Sequence, residues 1–74
     1  MATYLAEYIV ETAETYLGDV MGHLNWLGAW IEELESHDGV LRLRFRAPGA
    51  NMHGFEEWLR HATKGTGKVY RNLH

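Results

Sequence analysis

The chain has 74 residues, seven Lys or Arg against ten Asp or Glu, a net charge of −3 and no cysteine. Zero cysteine excludes disulfides and thiolate metal sites, no apolar run approaches the roughly 18–20 residues of a membrane span, and the charge balance has the wrong sign for a dedicated nucleic-acid binder. A chain of this length is expected to form a single domain over residues 1–74, burying roughly 60% of its unfolded surface and gaining only about 3–5 kcal/mol net from its core. Met1-Ala2-Thr3-Tyr4 lacks the basic start and apolar stretch of a signal peptide, and the absence of cysteine fits a cytoplasmic protein.

Residues 4–12 alternate, with Leu5, Glu7, Ile9 and Glu11 against Ala6, Tyr8, Val10 and Thr12. This predicts a strand whose Ala6, Tyr8 and Val10 face the core, because the glutamates prefer water. From about Glu14 to Trp26 the period becomes helical, through Leu17, Val20, Met21 and Leu24, and Gly28 is the expected stop. Gly18 and Gly22 lie four apart on this helix. Each costs roughly 0.5–1 kcal/mol relative to Ala, which is expected to be offset by close packing of helix against sheet.

Residues 29–36 form a second strand in which Ile31 and Leu34 are out of phase. A bulge at Glu32–Glu33 would bring both inward and leave Trp30 outward. His37-Asp38-Gly39 is a hairpin turn. Residues 40–47 then alternate, with Leu41, Leu43 and Phe45 on one face and Arg42, Arg44 and Arg46 on the other. Pro48-Gly49 ends that strand. A second helix is expected from about Asn51 to Ala62, with Met52, Phe55, Leu59 and Ala62 on one stripe, followed by a loop at Lys64-Gly65-Thr66-Gly67 and a last strand from Val69 to Leu73. Strand, helix, strand, strand, helix, strand is the order of an α+β, ferredoxin-like βαββαβ sandwich: two helices on one face of an antiparallel four-stranded sheet.

In such a sheet the first and third strands are central neighbours, so Glu7 and Glu11 share the open face with Arg42, Arg44 and Arg46. Opposite charges across strands contribute roughly 0.2–1 kcal/mol per pair, and a neutralised, solvated face is the favoured reading. The sharper alternative is a phosphate-tracking surface, since arginines at period two advance about 6.6–6.8 Å per step. Leu5, Ile9 and Trp30 are expected on this same face. Covering an indole fully is worth roughly 4–6 kcal/mol, so Leu5, Ile9, Trp30, Arg42, Arg44 and Arg46 are read as a protein interface, for a second copy or a neighbouring domain, with Trp58 a separate contact on the second helix.

Tyr16-Leu17-Gly18-Asp19-Val20-Met21-Gly22-His23-Leu24-Asn25 resembles the first helix of the C-terminal domain (domain V type) of elongation factor G, and Met52-His53-Gly54-Phe55, Leu59-Arg60, Thr63-Lys64-Gly65 and Gly67 resemble its second helix and following loop. The pattern lies over residues 10–73 without a gap, and its Gly-Thr-Gly ending is close to the related BipA-like translational GTPases. The resemblance implies a ferredoxin-like fold and a ribosome-dependent context in which a separate G domain hydrolyses GTP. It implies a ribosome or a GTPase domain as partner, with Arg60, Lys64 and Lys68 meeting phosphate and His61 nearby. Leu27-Gly28-Ala29 stands where the family often carries a basic turn, and Trp26, Trp30 and Trp58 fall where the elongation factors usually carry polar residues. A stand-alone interaction module that homodimerises through the open sheet face is the alternative.

No chemistry-bearing constellation emerges. There is no Gly-x-x-x-x-Gly-Lys-Ser/Thr run. The loop after the first strand, Thr12-Ala13-Glu14-Thr15, lacks the arginine that an acylphosphatase-like cradle requires, and Ser36 is the only serine. Of His23, His37, His53, His61 and His74, none pairs with another at helical spacing, so most are read as solvated and no metal site is expected. Neither enzymatic activity, a cofactor nor a small-molecule substrate is predicted. Lys64-Gly65-Thr66-Gly67-Lys68 could offer backbone N–H groups and two ammonium groups to a phosphate, although a simple helix-to-strand connection explains the glycines as well.

Overall fold

The computed structural model of the chain describes residues 5–73. The expected strand start at Tyr4, the reading of Met1-Ala2-Thr3-Tyr4, and His74 lie outside the described residues. Strand β1 spans Leu5–Ala13 and passes through a 3₁₀ turn, Glu14–Tyr16, into helix α1, Leu17–Leu27. Strands β2, Trp30–His37, and β3, Val40–Pro48, form a hairpin. A second 3₁₀ turn, Gly49–Met52, precedes helix α2, Phe55–Ala62, and strand β4 covers Lys68–Arg71. The four strands lie in the order β2-β3-β1-β4 with every pairing antiparallel. This is the ferredoxin-like α+β arrangement expected from the alternation.

The core shows why these residues choose these elements. Val10 from β1, Leu41, Leu43, Phe45 and Ala47 from β3, Val20 and Leu24 from α1, and Phe55 and Leu59 from α2 form one buried cluster. The strands supply it at period two and the helices at three to four residues, which places both helices on the same face of the sheet. Ala6 and Thr12 are buried on that face and Tyr8 packs against the cluster, stacking on Phe45 with ring centroids 5.7 Å apart. Leu17, expected in the helical stripe, is instead exposed.

Turn chemistry fixes the connections. Asp38 and Gly39 both take positive φ, 51° and 80°, as a two-residue turn matched to strand twist demands. α1 ends when Gly28 enters the left-handed region at φ 77°, letting the N–H of Ala29 reach the Leu24 carbonyl at 2.9 Å and that of Gly28 reach Asn25 at 3.1 Å. α2 begins at Phe55 rather than Asn51, because Gly54 sits at φ 78° and breaks the chain's rise between Met52 and the helix. The expected bulge is present: Ile31 opposes Phe45 and Glu33 opposes Arg44, leaving Glu32 as the extra residue; Ile31 is half-buried as expected, but Leu34, although it opposes Leu43, stays exposed on this edge strand.

One expectation is reversed. A Cβ added at Gly18 or Gly22 would find nothing within 4 Å, and both residues are exposed. These glycines do not bring α1 close to the sheet. They lie on its outer surface.

Candidate functional site

Two surfaces carry most of the residues singled out above, and the packing of the helices creates a third. The first is the open sheet face. Register places Glu7 opposite Arg46, Ile9 opposite Arg44 and Glu11 opposite Arg42, while Trp30, Glu33 and Glu35 oppose the same arginines from the other side. Arg44 Nη2 lies 3.2 Å from Glu33 Oε2, Arg46 Nε lies 3.1 Å from Glu32 Oε1 and 3.9 Å from Glu7 Oε1, and Arg42 Nε lies 3.9 Å from Glu11 Oε2. The bulge thus turns two consecutive glutamates towards the arginine row. Exposed pairs of this kind contribute about 0–1 kcal/mol each, but together they cancel the row's charge. The neutralised reading holds, and the phosphate-tracking alternative loses its basis.

On the same face, Trp30 is 72% exposed and Leu5 and Tyr70 are also open to solvent. Ile9 is not. It is only 5% exposed, flanked across the strands by Arg44 and Tyr70, with Asn72 bordering the same hollow. Aliphatic and aromatic stems of long polar side chains roof it, as such stems commonly cover apolar surface. Ile9 therefore belongs to a small covered patch and cannot meet a partner directly.

The second surface is the C-terminal end of α2. Its loop does not present backbone N–H groups to a ligand. The N–H of Lys64 donates to His61 O at 3.4 Å, Gly65 to Arg60 O at 2.8 Å, Thr66 to Thr63 O at 3.1 Å, and Gly67 to the Thr63 hydroxyl at 2.8 Å. Those donors are consumed in closing the helix. Beneath them Thr63, fully buried, donates its hydroxyl to Leu59 O at 2.6 Å, and Thr66 donates to Thr63 O at 2.8 Å. The Thr66 hydroxyl proton is thereby committed, so the Thr12 hydroxyl, 3.2 Å away, donates to it and ties the end of β1 to this corner.

What remains for a ligand is side-chain charge. Arg60 is exposed and paired with Glu56 at 3.0 Å. Lys64 takes the left-handed conformation, φ 53°, and projects from an exposed position. His61 is exposed beside it. Lys68 opposes Glu11 across β1–β4, so it stands on the open sheet face, apart from the helix-layer residues. The four residues grouped by sequence thus divide between two layers at one end of the domain. Among the described residues, neither Lys64 nor Lys68 has a carboxylate within ion-pair distance.

The third surface was missed by sequence reasoning. His23 of α1 stacks on Trp58 of α2, ring centroids 3.7 Å apart and planes 11° from parallel, and lies 5.5 Å from Trp26 and 5.6 Å from Phe55. Burial lowers the His23 pKa from its ordinary 6.5, so the imidazole is held neutral. A pocket of about 370 Å³ opens beside this stack, bordered by Trp26, Leu27, Asn51, His53, Phe55 and Trp58. Asn51 closes one side by donating to Leu27 O at 3.0 Å. The signal was present in the spacing of His23 and Trp26, one helical turn apart, but their meeting with Trp58 depends on how the two helices pack. Trp58 packs against the core and is half-buried, whereas Trp26 is 79% exposed.

Among the described residues no group of three or more His, Asp or Glu side chains converges on a metal-sized site, and no helix is long and apolar enough to cross a membrane.

Two comparisons bear on these surfaces. The family model described as "Elongation factor G C-terminus" matches residues 5–74. A crystal structure of a protein from Thermus thermophilus superposes with a TM-score of 0.86 at 18% identity, covering 97% of this chain and 11% of that one. At that identity the superposition speaks to fold, and the present chain spans about a tenth of the solved chain's length.

Proposed function

This chain belongs to the elongation factor G C-terminus family, and on that premise we propose that it is a translation-factor domain without catalytic activity, which contributes contacts to the ribosome or to its parent GTPase. The match over residues 5–74 is the observation that carries the reading. Residues 1–74 act in this reading as a single domain in the cytoplasm, and the hydrolysis of nucleotide falls to a separate domain, since this sequence has no phosphate-binding Gly-Lys-Ser/Thr loop.

The phosphate contact is assigned to Arg60, Lys64 and Lys68, with His61 next to Arg60 on α2 and Lys68 across on the sheet face. The support is local. Lys64 and Lys68 are unpaired among the described residues, whereas Arg42, Arg44 and Arg46 are each within 4.0 Å of a glutamate. Binding must use the ammonium and guanidinium groups, because the loop's N–H groups are engaged.

Co-sedimentation with ribosomes across a salt series tests this. Binding is expected to fall steeply with salt, and removing Lys64 or Lys68 is expected to reduce the log–log slope by about 0.7–0.9 per lost phosphate contact. Failure to pellet at low salt, or slopes unchanged in both variants, would refute the assignment.

A second reading rests on Trp30. An indole 72% exposed beside Leu5 and Tyr70 on a charge-balanced sheet face suits a second copy or a neighbouring domain. Leu5, Trp30, Arg42, Arg44 and Arg46 would form that contact, with Ile9 supporting them from beneath and Trp58, on the opposite layer, outside it. Sedimentation equilibrium is expected to show a dimer that Trp30→Ala abolishes; monomer mass at high concentration would end this reading.

A further inference from the structure

On the outer surface of the helix layer, a groove of about 590 Å³ runs between α1 and α2. Its border includes Asp19, Gly22, Trp26, Trp58 and Ala62. From the chemistry of that border we propose that the groove docks an arginine-bearing segment of a protein partner, the guanidinium stacking on Trp26 and pairing with the carboxylate of Asp19.

Charge complementarity selects the occupant. Among the residues bordering the groove, Asp19 is the one acidic side chain, and the remaining ionisable group, His23, is stacked on Trp58 with its pKa lowered by burial. Among the described residues Asp19 has neither a hydrogen bond nor an ion pair, unlike Glu7, Glu11, Glu32, Glu33 and Glu56. An anionic strand of nucleic acid would meet this carboxylate with no cation to offset it. A cation meets it favourably and gains a second interaction from the indole, the aromatic ring that attracts cations best.

Geometry selects arginine within the cations. The Trp26 ring lies 5.5 Å from that of His23 and is 79% exposed, so most of the indole is open to a flat group. A guanidinium stacks on such a surface and forks onto a carboxylate, which a lysine ammonium cannot do. The open ground at Gly18 and Gly22 lets a partner's main chain approach the helix closely. Neither Lys64 nor Lys68 borders this groove, and the inference stands whether or not the chain pellets with ribosomes.

A capped five-residue peptide with a single central arginine among alanines, titrated into the full chain at low salt and followed by ¹H–¹⁵N NMR, tests the proposal. The expected result is saturable shifts centred on the Trp26 indole N–H and the amides of Asp19 and Gly22. Trp26→Ala or Asp19→Asn should weaken binding at least fivefold, a lysine peptide should bind more weakly, and a norleucine peptide should give no shift. Trp26 is a surface residue, so Trp26→Ala keeps the fold and remains informative if Asp19→Asn does not. Shifts centred on Glu11 and Glu35 instead of the groove, equal response to the norleucine peptide, no saturation, or groove shifts induced by a uridine oligonucleotide would each overturn it.

Discussion

Gly67 lies against Thr63 so closely that a Cβ built on it would stand 2.6 Å from the threonine hydroxyl oxygen and 2.8 Å from Leu59 Cγ. Both neighbours are fully buried. Gly67→Ala is therefore expected to destabilise the domain by about 1–3 kcal/mol through overpacking. Urea unfolding followed by tryptophan fluorescence measures this, and an unchanged midpoint would show that the corner is looser than its distances imply.

The Thr63 hydroxyl itself serves two backbone groups. Thr63→Val keeps the shape but strands the Gly67 N–H, which costs about 1–3 kcal/mol when buried. The amide of Gly67 should also lose its protection from hydrogen exchange, while protection in β1–β3 falls only with global stability. Equal loss of protection across both regions at matched stability would contradict this account.

Glycine in α1 should be improvable. A methyl group at Gly22 or Gly18 meets open space, so Gly22→Ala and Gly18→Ala are each expected to stabilise by about 0.5–1 kcal/mol. Thermal melts of both single variants and the double variant check the sign and the additivity. A destabilised variant would mean that the α1 surface is covered in solution.

Lys64 carries a backbone cost at its position. A residue with a Cβ in the left-handed region costs roughly 1–2 kcal/mol, and φ 53° at Lys64 places it there. Lys64→Gly is expected to raise stability by about 1 kcal/mol while weakening any polyanion contact made by the ammonium. Paired melts and ribosome pelleting would read the two effects in opposite directions; a fall in stability would show that the lysine stem contributes packing that outweighs the strain.

His23 gives the pH dependence its sign. Its folded pKa is depressed by burial, so the unfolded chain binds the proton more readily than the native one. This contribution to stability is fully present above about pH 6.5 and is lost as pH falls from there through the folded pKa. Melts between about pH 7.5 and 5, a range that brackets the ordinary histidine value, should show that decline, and His23→Phe, which retains a ring against Trp58, should flatten it. An identical slope in the variant would remove His23 as the cause.

Much of this architecture could be read before any coordinates. Strict alternation in β3, the Asp38-Gly39 turn and the phase slip between Ile31 and Leu34 each report a local constraint, and each appears as expected. What could not be read depends on facing elements. Gly18 and Gly22 would suit an inner face as well as an outer one, and only the packing of Val20 and Leu24 decides which. The N–H groups of Lys64 to Gly67 look available in a sequence, but the helix end claims them. Ile9 alternates outward correctly and is hidden by neighbours that lie far away along the chain.

The extra residue in β2 has a consequence for tolerance to length change. Losing one residue inside a strand ordinarily turns the remainder inside out. Here, deletion of Glu32 would leave Ile31 opposite Phe45 and Glu33 opposite Arg44, converting an interrupted ladder into a regular one. The sheet's own register does not require the insertion. Its loss would instead remove the carboxylate that lies 3.1 Å from Arg46 Nε and leave a regular, less acidic edge strand, the kind of edge that pairs with another copy.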